Sequence, residues 1–340
     1  MRSGGTGEPP QGEVRKCKAA PVSEGKRGCN RRGAAAFSDD LIKYISKEKQ
    51  VRMNILVDES LPNGVHKWKG ISQEKEWTLF CGNAVDALKN VPDESVHCVI
   101  TSPPYYSLRD YGVDGQIGLE DTINEYVSSL CSVMDELYRV LRKDGLLFLN
   151  LGDTYYSGKG ASHGKDLKSH KRRFGIRPVD KSGGLGEHIE RKSIIGVPWR
   201  VAIEMTSRRW VLRAPIIWHR DKALPESVKD RPHRSYEYIF MFAKDRKYFF
   251  NRKPLIDKQI DEDVWTITPR PSGSEIETAP YPDELVSRCL DIGCPPEGVV
   301  LDPFAGSGTT MNVALKSGHS AIGIEISHSF CEYIIKHLEE

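Results

Sequence analysis

The sequence predicts an α/β protein with a mostly parallel sheet, and three stretches carry that reading. Val96-His97-Cys98-Val99-Ile100 is an apolar run ending in a stiff turn, the pattern of a buried strand at the mouth of an open sheet. The segment opened by Asp121-Thr122-Ile123-Asn124 lines up Tyr126, Leu130, Val133, Met134, Leu137 and Leu141 on one helical face, and Lys143-Asp144-Gly145 reads as its glycine stop. Leu146-Leu147-Phe148-Leu149-Asn150-Leu151 then forms a nearly uninterrupted apolar strand, as expected where helices cover both faces of a sheet. Strand, helix and strand at this spacing make a βαβ unit.

Taken in order, residues 1–37 hold almost no large apolar side chain and are expected to be a disordered basic tail. Recognisable domain sequence begins only after Met53, which reads as an alternative start. An extension over residues 38–76 opens with Ser38 as helix N-cap and carries a turn at Pro62-Asn63-Gly64. The main domain covers residues 77–340. It begins with a strand at Trp77–Cys81, a helix at Ala84–Asn90 and a turn at Pro92-Asp93-Glu94. Residues 107–120 read as a loop over the strand mouth, and residues 157–192 as a basic insertion. A helix starts at Val197-Pro198, strand material follows at Trp210–Leu212 and Ala214–Trp218, and Tyr238–Ala243 with Tyr248–Phe250 reads as an antiparallel hairpin. Residues 251–280 are loop-rich, and Tyr281-Pro282-Asp283 opens another helix. The chain closes with a strand at Val299–Leu301, a glycine turn, a helix at Met311–Lys316, a strand at Ala321–Ile324 and Glu325 at its end.

Composition narrows the function classes. The 340 residues are 39% hydrophobic and 28% charged, which is globular, and the net charge of +2 means that any pull on nucleic acid comes from local clusters. Eight cysteines without a Cys-x-x-Cys pair give no metal or redox motif, and Cys81, Cys98 and Cys289 sit where buried thiols are expected. No apolar run reaches membrane-span length, and the reading is soluble and intracellular.

Two stretches carry chemistry. In Thr101-Ser102-Pro103-Pro104-Tyr105 the prolines fix φ and lack N–H donors, which leaves neighbouring carbonyls to accept hydrogen bonds. Ser102 adds an acceptor and Tyr105 a flat face, a set that suits a planar ring with an exocyclic amine. Alone, the five residues also fit a plain strand terminator. In Asp302-Pro303-Phe304-Ala305-Gly306-Ser307-Gly308-Thr309-Thr310 a strand passes through glycines into a helix, and Glu325 stands about twenty residues on, where a carboxylate can hold ribose hydroxyls. Thr309 replaces the lysine of a phosphate loop, and Met311 the third glycine of a dinucleotide fingerprint. Asp302 would repel a pyrophosphate and suits an amino-bearing, cationic cofactor; S-adenosylmethionine fits.

With these motifs the chain, from about Trp77 to its end, resembles the amino-group DNA methyltransferases of circularly permuted order, with the Ser-Pro-Pro-Tyr motif first and the cofactor loop last. Tyr111-Gly-Val, Gln116-Ile-Gly-Leu-Glu120, Asn150-Leu-Gly-Asp153, Gly196-Val-Pro-Trp-Arg200 and Pro225–Arg231 also look like family signatures. The resemblance implies a Rossmann-like methyltransferase fold with one antiparallel hairpin strand and S-adenosylmethionine as cofactor. It implies Phe304, Gly306, Ser307, Gly308, Thr309, Pro282 and Asn83 as cofactor contacts beside Asp302 and Glu325. Asn83 stands where the family usually has Asp, and Tyr236 and Thr278 where it often has His.

The resemblance further implies a base flipped from double-stranded DNA and stacked on Tyr105. Its amine is held by Ser102 and the carbonyl beside Pro103, and methyl transfer is a direct displacement. Ser-Pro-Pro-Tyr points to the N4 amine of cytosine, with N6 of adenine, an RNA substrate, a non-catalytic DNA binder and, more distantly, an NAD oxidoreductase as alternatives. No Pro-Cys pair is present for carbon-5 chemistry. Lys168, Lys171, Arg172, Arg173 and Arg177 of the basic insertion, with Arg231, are candidate backbone contacts, and residues 251–274 a candidate target-recognition segment. A separate cognate restriction endonuclease is a possible partner. The expected location is the cytoplasm, at the nucleoid, or the nucleus of a eukaryotic source.

Overall fold

The computed structural model describes residues 55–106, 108, 110–156, 189–222, 228–270 and 280–338. They belong to one unit spanning Met53–Glu340. Ten strands form one sheet in the order β1-β2-β3-β10-β9-β4-β5-β7-β6-β8. These are β1 Ile55–Ser60, β2 His66–Ser72, β3 Lys75–Cys81, β4 Val96–Thr101, β5 Leu141–Leu151, β6 Val211–His219, β7 Tyr236–Ala243, β8 Val264–Thr266, β9 Val299–Asp302 and β10 Ser320–Glu325. Strands β3, β10, β9, β4 and β5 run parallel.

Helices α1 Ala84–Leu88, α2 Ile123–Val140 and α3 Val197–Ser207 cover one face. Helices α5 Asp283–Gly293, α6 Thr309–Lys316 and α7 His328–Leu338 cover the other, and α4 Lys253–Asp257 adds Leu255 to that side. The central strands are apolar on both sides because both sides are covered. In β5, Leu147, Leu149 and Leu151 join one core while Leu146 and Phe148 join the other.

Four expectations need correcting. The sheet does not start at Trp77: β2 pairs antiparallel with β3 and β1 antiparallel with β2, so residues 55–72 extend its edge. Two strands, β2 and β7, are therefore reversed rather than one. The partners of β7 are β5 and β6, not Tyr248–Phe250. That stretch folds back instead, with the Phe249 N–H spent on the carbonyl of Asp144 at 2.8 Å. Trp210 lies outside β6, whose two predicted pieces are one strand with an irregularity between Leu212 and Ala214. The described part of the candidate recognition segment, residues 251–270, contributes α4 and β8, the latter parallel to β6 at the sheet edge, and residues 271–274 lie outside the described residues.

The fourth correction concerns α2. Its start is a capping box, Thr122 accepting from the Glu125 N–H and Glu125 from that of Thr122. Its end is Val140, and Leu141 is already extended. The carbonyls of Arg139 and Val140 accept from the N–H groups of Glu94 and Ser95, so the turn before β4 caps the helix and no glycine is needed. Gly145 serves packing instead. A Cβ there would lie 2.9 Å from the carbonyl oxygen of His97 and 2.7 Å from Leu141. The expected helix at Ser38 lies outside the described residues.

Gly145→Ala therefore forces β4 and β5 apart. It should cost about 1–3 kcal/mol of stability in urea denaturation. An unchanged midpoint would mean that the strands part there without cost.

Candidate functional site

The C-terminal ends of β3, β10, β9, β4 and β5 open into one cleft of about 640 Å³, a size usual for small-molecule sites. Its centre is the β9/β4 boundary, where strand order departs from chain order and ligands settle in open α/β sheets. There Thr101 ends β4 and Asp302 ends β9. The Asp302 side chain is 2% exposed. It accepts from the Thr101 hydroxyl at 2.7 Å, the Phe304 N–H at 3.0 Å, the Tyr281 hydroxyl at 3.0 Å and the Thr310 hydroxyl at 2.6 Å. Burial raises its pKa against these donors. Asp302 thus joins the Pro-Pro turn, the glycine loop and the start of α6, and it still borders the cleft.

On one side lies the glycine loop. Gly306 and Gly308 have φ of 55° and 79°, in the left-handed region that glycine tolerates. The Gly306 N–H donates to Glu325 at 2.9 Å, and the Ser327 N–H to the other oxygen at 2.8 Å. Glu325 is 8% exposed, and burial pushes its pKa up to about 7. Each oxygen keeps acceptor capacity toward the cleft, as a ribose diol requires. Phe304, Ser307, Thr309, Ile326 and Phe330 line this half. Gly308 and Pro282 do not. Gly308 caps α6, where a Cβ would meet Ile334 at 3.0 Å, and buried Pro282 is the N-cap residue of α5.

Asn83, at the N-terminus of α1, also lines the cleft. Its Oδ1 accepts from the Val85 N–H at 3.0 Å, while its Nδ2 donates to the Gly115 carbonyl at 3.4 Å. Asparagine caps a helix as well as aspartate does. Here it also ties down the loop over the cleft, a bond that an aspartate could not donate.

On the other side stands the Pro-Pro turn. The Pro104 carbonyl is taken by the Tyr126 hydroxyl at 2.9 Å. Among the described residues nothing donates to the carbonyls of Ser102 and Pro103. Tyr105 borders the cleft with its ring held close on Gly152, where a Cβ would lie 2.6 Å from a ring carbon. Its hydroxyl donates to Glu237 at 2.6 Å, lies 3.3 Å from the Asn150 amide oxygen, and receives the Ser102 hydroxyl at 3.5 Å. Burial and the Glu237 charge push the phenol pKa well up. Glu237 in turn accepts from Arg220 at 3.0 Å and from the Asn150 amide at 3.3 Å. Arg220 and Arg234 donate to the backbone carbonyls of Arg234 and Asp153, yet both Nε groups are buried and, among the described residues, without a partner. Asp153 accepts three backbone N–H bonds from Thr154, Gly196 and Val197 and caps α3.

Sequence reading missed Glu237, Arg220 and Arg234 as members of this site. Parallel β6 ends at the mouth and reversed β7 begins there, so polar residues flanking those two apolar strands were the available signal. Arg231 does not line the cleft; it stacks 3.7 Å over the Tyr155 ring. Tyr236 is 37% exposed and packs edge-on against Tyr238. Lys168, Lys171, Arg172, Arg173, Arg177 and Thr278 lie outside the described residues. The six described cysteines are free and buried.

This geometry agrees with what comparison finds. The chain is 37% identical over 269 residues to the Type II methyltransferase M.Cfr9I of Citrobacter freundii, covering 77% of this chain and 87% of that one. Its fold matches the PvuII DNA methyltransferase (cytosine-N4-specific), at TM-score 0.56, 18% identity, and coverage of 77% and 91%. It also matches TTHA0409 of Thermus thermophilus, a putative DNA modification methylase solved with S-adenosyl-L-methionine, at TM-score 0.52, 24% identity, and coverage of 76% and 92%. Residues 96–336 match the DNA methylase family of N6 and N4 type. The chain belongs to that family of S-adenosylmethionine-dependent DNA methyltransferases.

Proposed function

We propose that this enzyme methylates the exocyclic N4 amine of cytosine in double-stranded DNA, with the base flipped into the cleft. The observation that carries the reading is the acceptor cluster of the Pro-Pro turn, tied through Thr101 and Asp302 to the glycine loop at 2.7 Å. S-adenosylmethionine, when bound, supplies an electrophilic methyl group. Glu325 holds its ribose hydroxyls; Phe304, Gly306, Ser307 and Thr309 border the rest. Ser102 and the carbonyls of Ser102 and Pro103 accept from the base amine, which turns its nitrogen lone pair toward the methyl group. Tyr105 offers its ring to the base. The chemistry asked of the protein is orientation and removal of water, with no covalent enzyme–base adduct.

The base half carries the cations Arg220 and Arg234, which line the cleft. Their positive charge suits a nucleotide's phosphate and base carbonyl. Ser-Pro-Pro-Tyr before the glycine loop supports the permuted order, and the neutral Ser102 supports cytosine. The relatives' Type II class supports a role in restriction and modification, alongside a separate endonuclease, in the cytoplasm at the DNA. No helix among the described residues is long and apolar enough to cross a membrane. Arg231 and the basic insertion are assigned to the DNA backbone.

Digestion of DNA from expressing cells, followed by mass analysis of nucleosides, should yield N4-methylcytosine. N6-methyladenine without it would overturn the choice of base. Ser102→Ala should lower single-turnover methyl transfer by about 10²-fold with little change in cofactor affinity; an unchanged rate would remove Ser102 from the mechanism. Ionised Glu325 is the better partner for a diol, so S-adenosylmethionine affinity should fall as pH drops through about 7. Glu325→Gln should bind weakly and without that dependence. Stability of the ligand-free protein runs the other way. The Glu325 contribution is full below about 4.5 and is lost as pH rises through about 7, because the folded state holds the proton more tightly.

A further inference from the structure

We infer that Glu237, acting through Tyr105, orients the Ser102 hydroxyl and receives the proton that the base amine releases. The inference rests on the methyl-transfer reading above and adds a residue and a proton path to it. A carboxylate can only accept hydrogen bonds, and this sets the direction of the whole chain. At 2.6 Å from Glu237, the Tyr105 hydroxyl spends its one proton on the carboxylate. The phenol oxygen then has only lone pairs left, and it takes the Ser102 proton at 3.5 Å. Ser102 is left with its own lone pairs toward the cleft. The hydroxyl that must accept from the amine is thus made an acceptor by a carboxylate two bonds away.

Glu237 is built to stay in place. Its side chain is 12% exposed; Arg220 holds one oxygen at 3.0 Å, and the Asn150 amide approaches the other at 3.3 Å. Asn150 is itself anchored to the Tyr238 carbonyl at 3.1 Å. The Tyr105 ring occupies space that any side chain at position 152 would fill.

The same chain closes the proton balance of the reaction. The amine nitrogen forms a bond to the methyl carbon as the carbon–sulfur bond breaks, and that electron pair stays on sulfur. The nitrogen then carries one positive charge and one proton too many. It gives the proton to the Ser102 oxygen as the Ser102 proton passes to Tyr105 and the Tyr105 proton to Glu237. The products are a neutral methylated amine, neutral Ser102 and Tyr105, and a protonated Glu237 that later returns its proton to solvent. The last two transfers run along hydrogen bonds already present, so Tyr105 gains one proton as it gives up another and need not ionise.

The test uses the full chain, labelled S-adenosylmethionine and unmethylated genomic DNA, with single-turnover rates and the two affinities measured separately. Glu237→Gln and Tyr105→Phe should each slow transfer by about 10²-fold while both affinities stay within about twofold of the unaltered protein. The double variant should be no slower than the slower single one, because both changes cut one path. Glu237→Asp should recover part of the rate. A Glu237→Gln rate within about threefold of the unaltered protein would overturn the relay. So would additive losses, or a loss of affinity as large as the loss of rate. If the unaltered protein transfers nothing to DNA, the methyl-transfer reading fails and takes the relay with it. If it transfers normally and Glu237→Gln does too, the relay alone fails.

Discussion

Burying a carboxylate away from water costs several kcal/mol unless every lone pair finds a donor. Asp302 sits at the centre of the sheet under that condition, and four donors meet it. The donors come from the end of β4, the glycine loop, the segment before α5 and the first turn of α6. None of these can shift without leaving the carboxylate short of a partner. The spacing between the Pro-Pro turn and the glycine loop is therefore fixed by an internal bond. Residues two hundred positions apart in sequence become one site because a single buried charge needs both of them.

The two halves of the cleft differ in how they treat charge. The glycine-loop half presents Glu325 beside Asp302, its pKa pushed up to about 7 mainly by burial and its oxygens steadied by two backbone N–H groups. That suits a ligand which brings hydroxyl donors and a positive centre. The other half pairs its carboxylate, Glu237, with Arg220 and leaves two guanidinium N–H groups buried without a partner among the described residues. Those Nε groups are closed off from the cleft, but both guanidinium groups border it, and their positive charge suits a ligand that brings acceptors. Before any chemistry, the cleft distinguishes the two ends of a two-ligand complex.

Legibility from the sequence followed locality. The β4 and β5 strands, their intervening helix and both chemical motifs were readable because periodicity and turn chemistry are properties of neighbouring residues. What failed was set by distant ones. The end of α2 is capped by Glu94 and Ser95, far back in the chain, so the nearer Gly145 drew the prediction past the true stop. The hairpin at Tyr248–Phe250 failed because β7 found a better partner in β6. Asp302 was read as a ligand for a cationic cofactor; its hydrogen bonds show an internal duty that no spacing announces. Glu237 and Arg220 stand seventeen residues apart on two strand ends that meet only in the folded sheet.

The neutral residue at position 102 follows from the same electrostatics. Glu237 already gives the turn one negative charge, held two hydrogen bonds from the Ser102 oxygen. An aspartate at 102 would set a second carboxylate beside it. Like charges so close in a partly desolvated cleft cannot both ionise freely, and one would take up a proton. A protonated aspartate gains a donor and is a weaker acceptor for the base amine than a carboxylate is. Serine avoids that conflict. Its proton is claimed by Tyr105, its lone pairs face the cleft, and the charge that organises it stays on Glu237, paired with Arg220. The acceptor character of the turn is thus a property of the whole chain of bonds, and the side chain at 102 needs no charge of its own to express it.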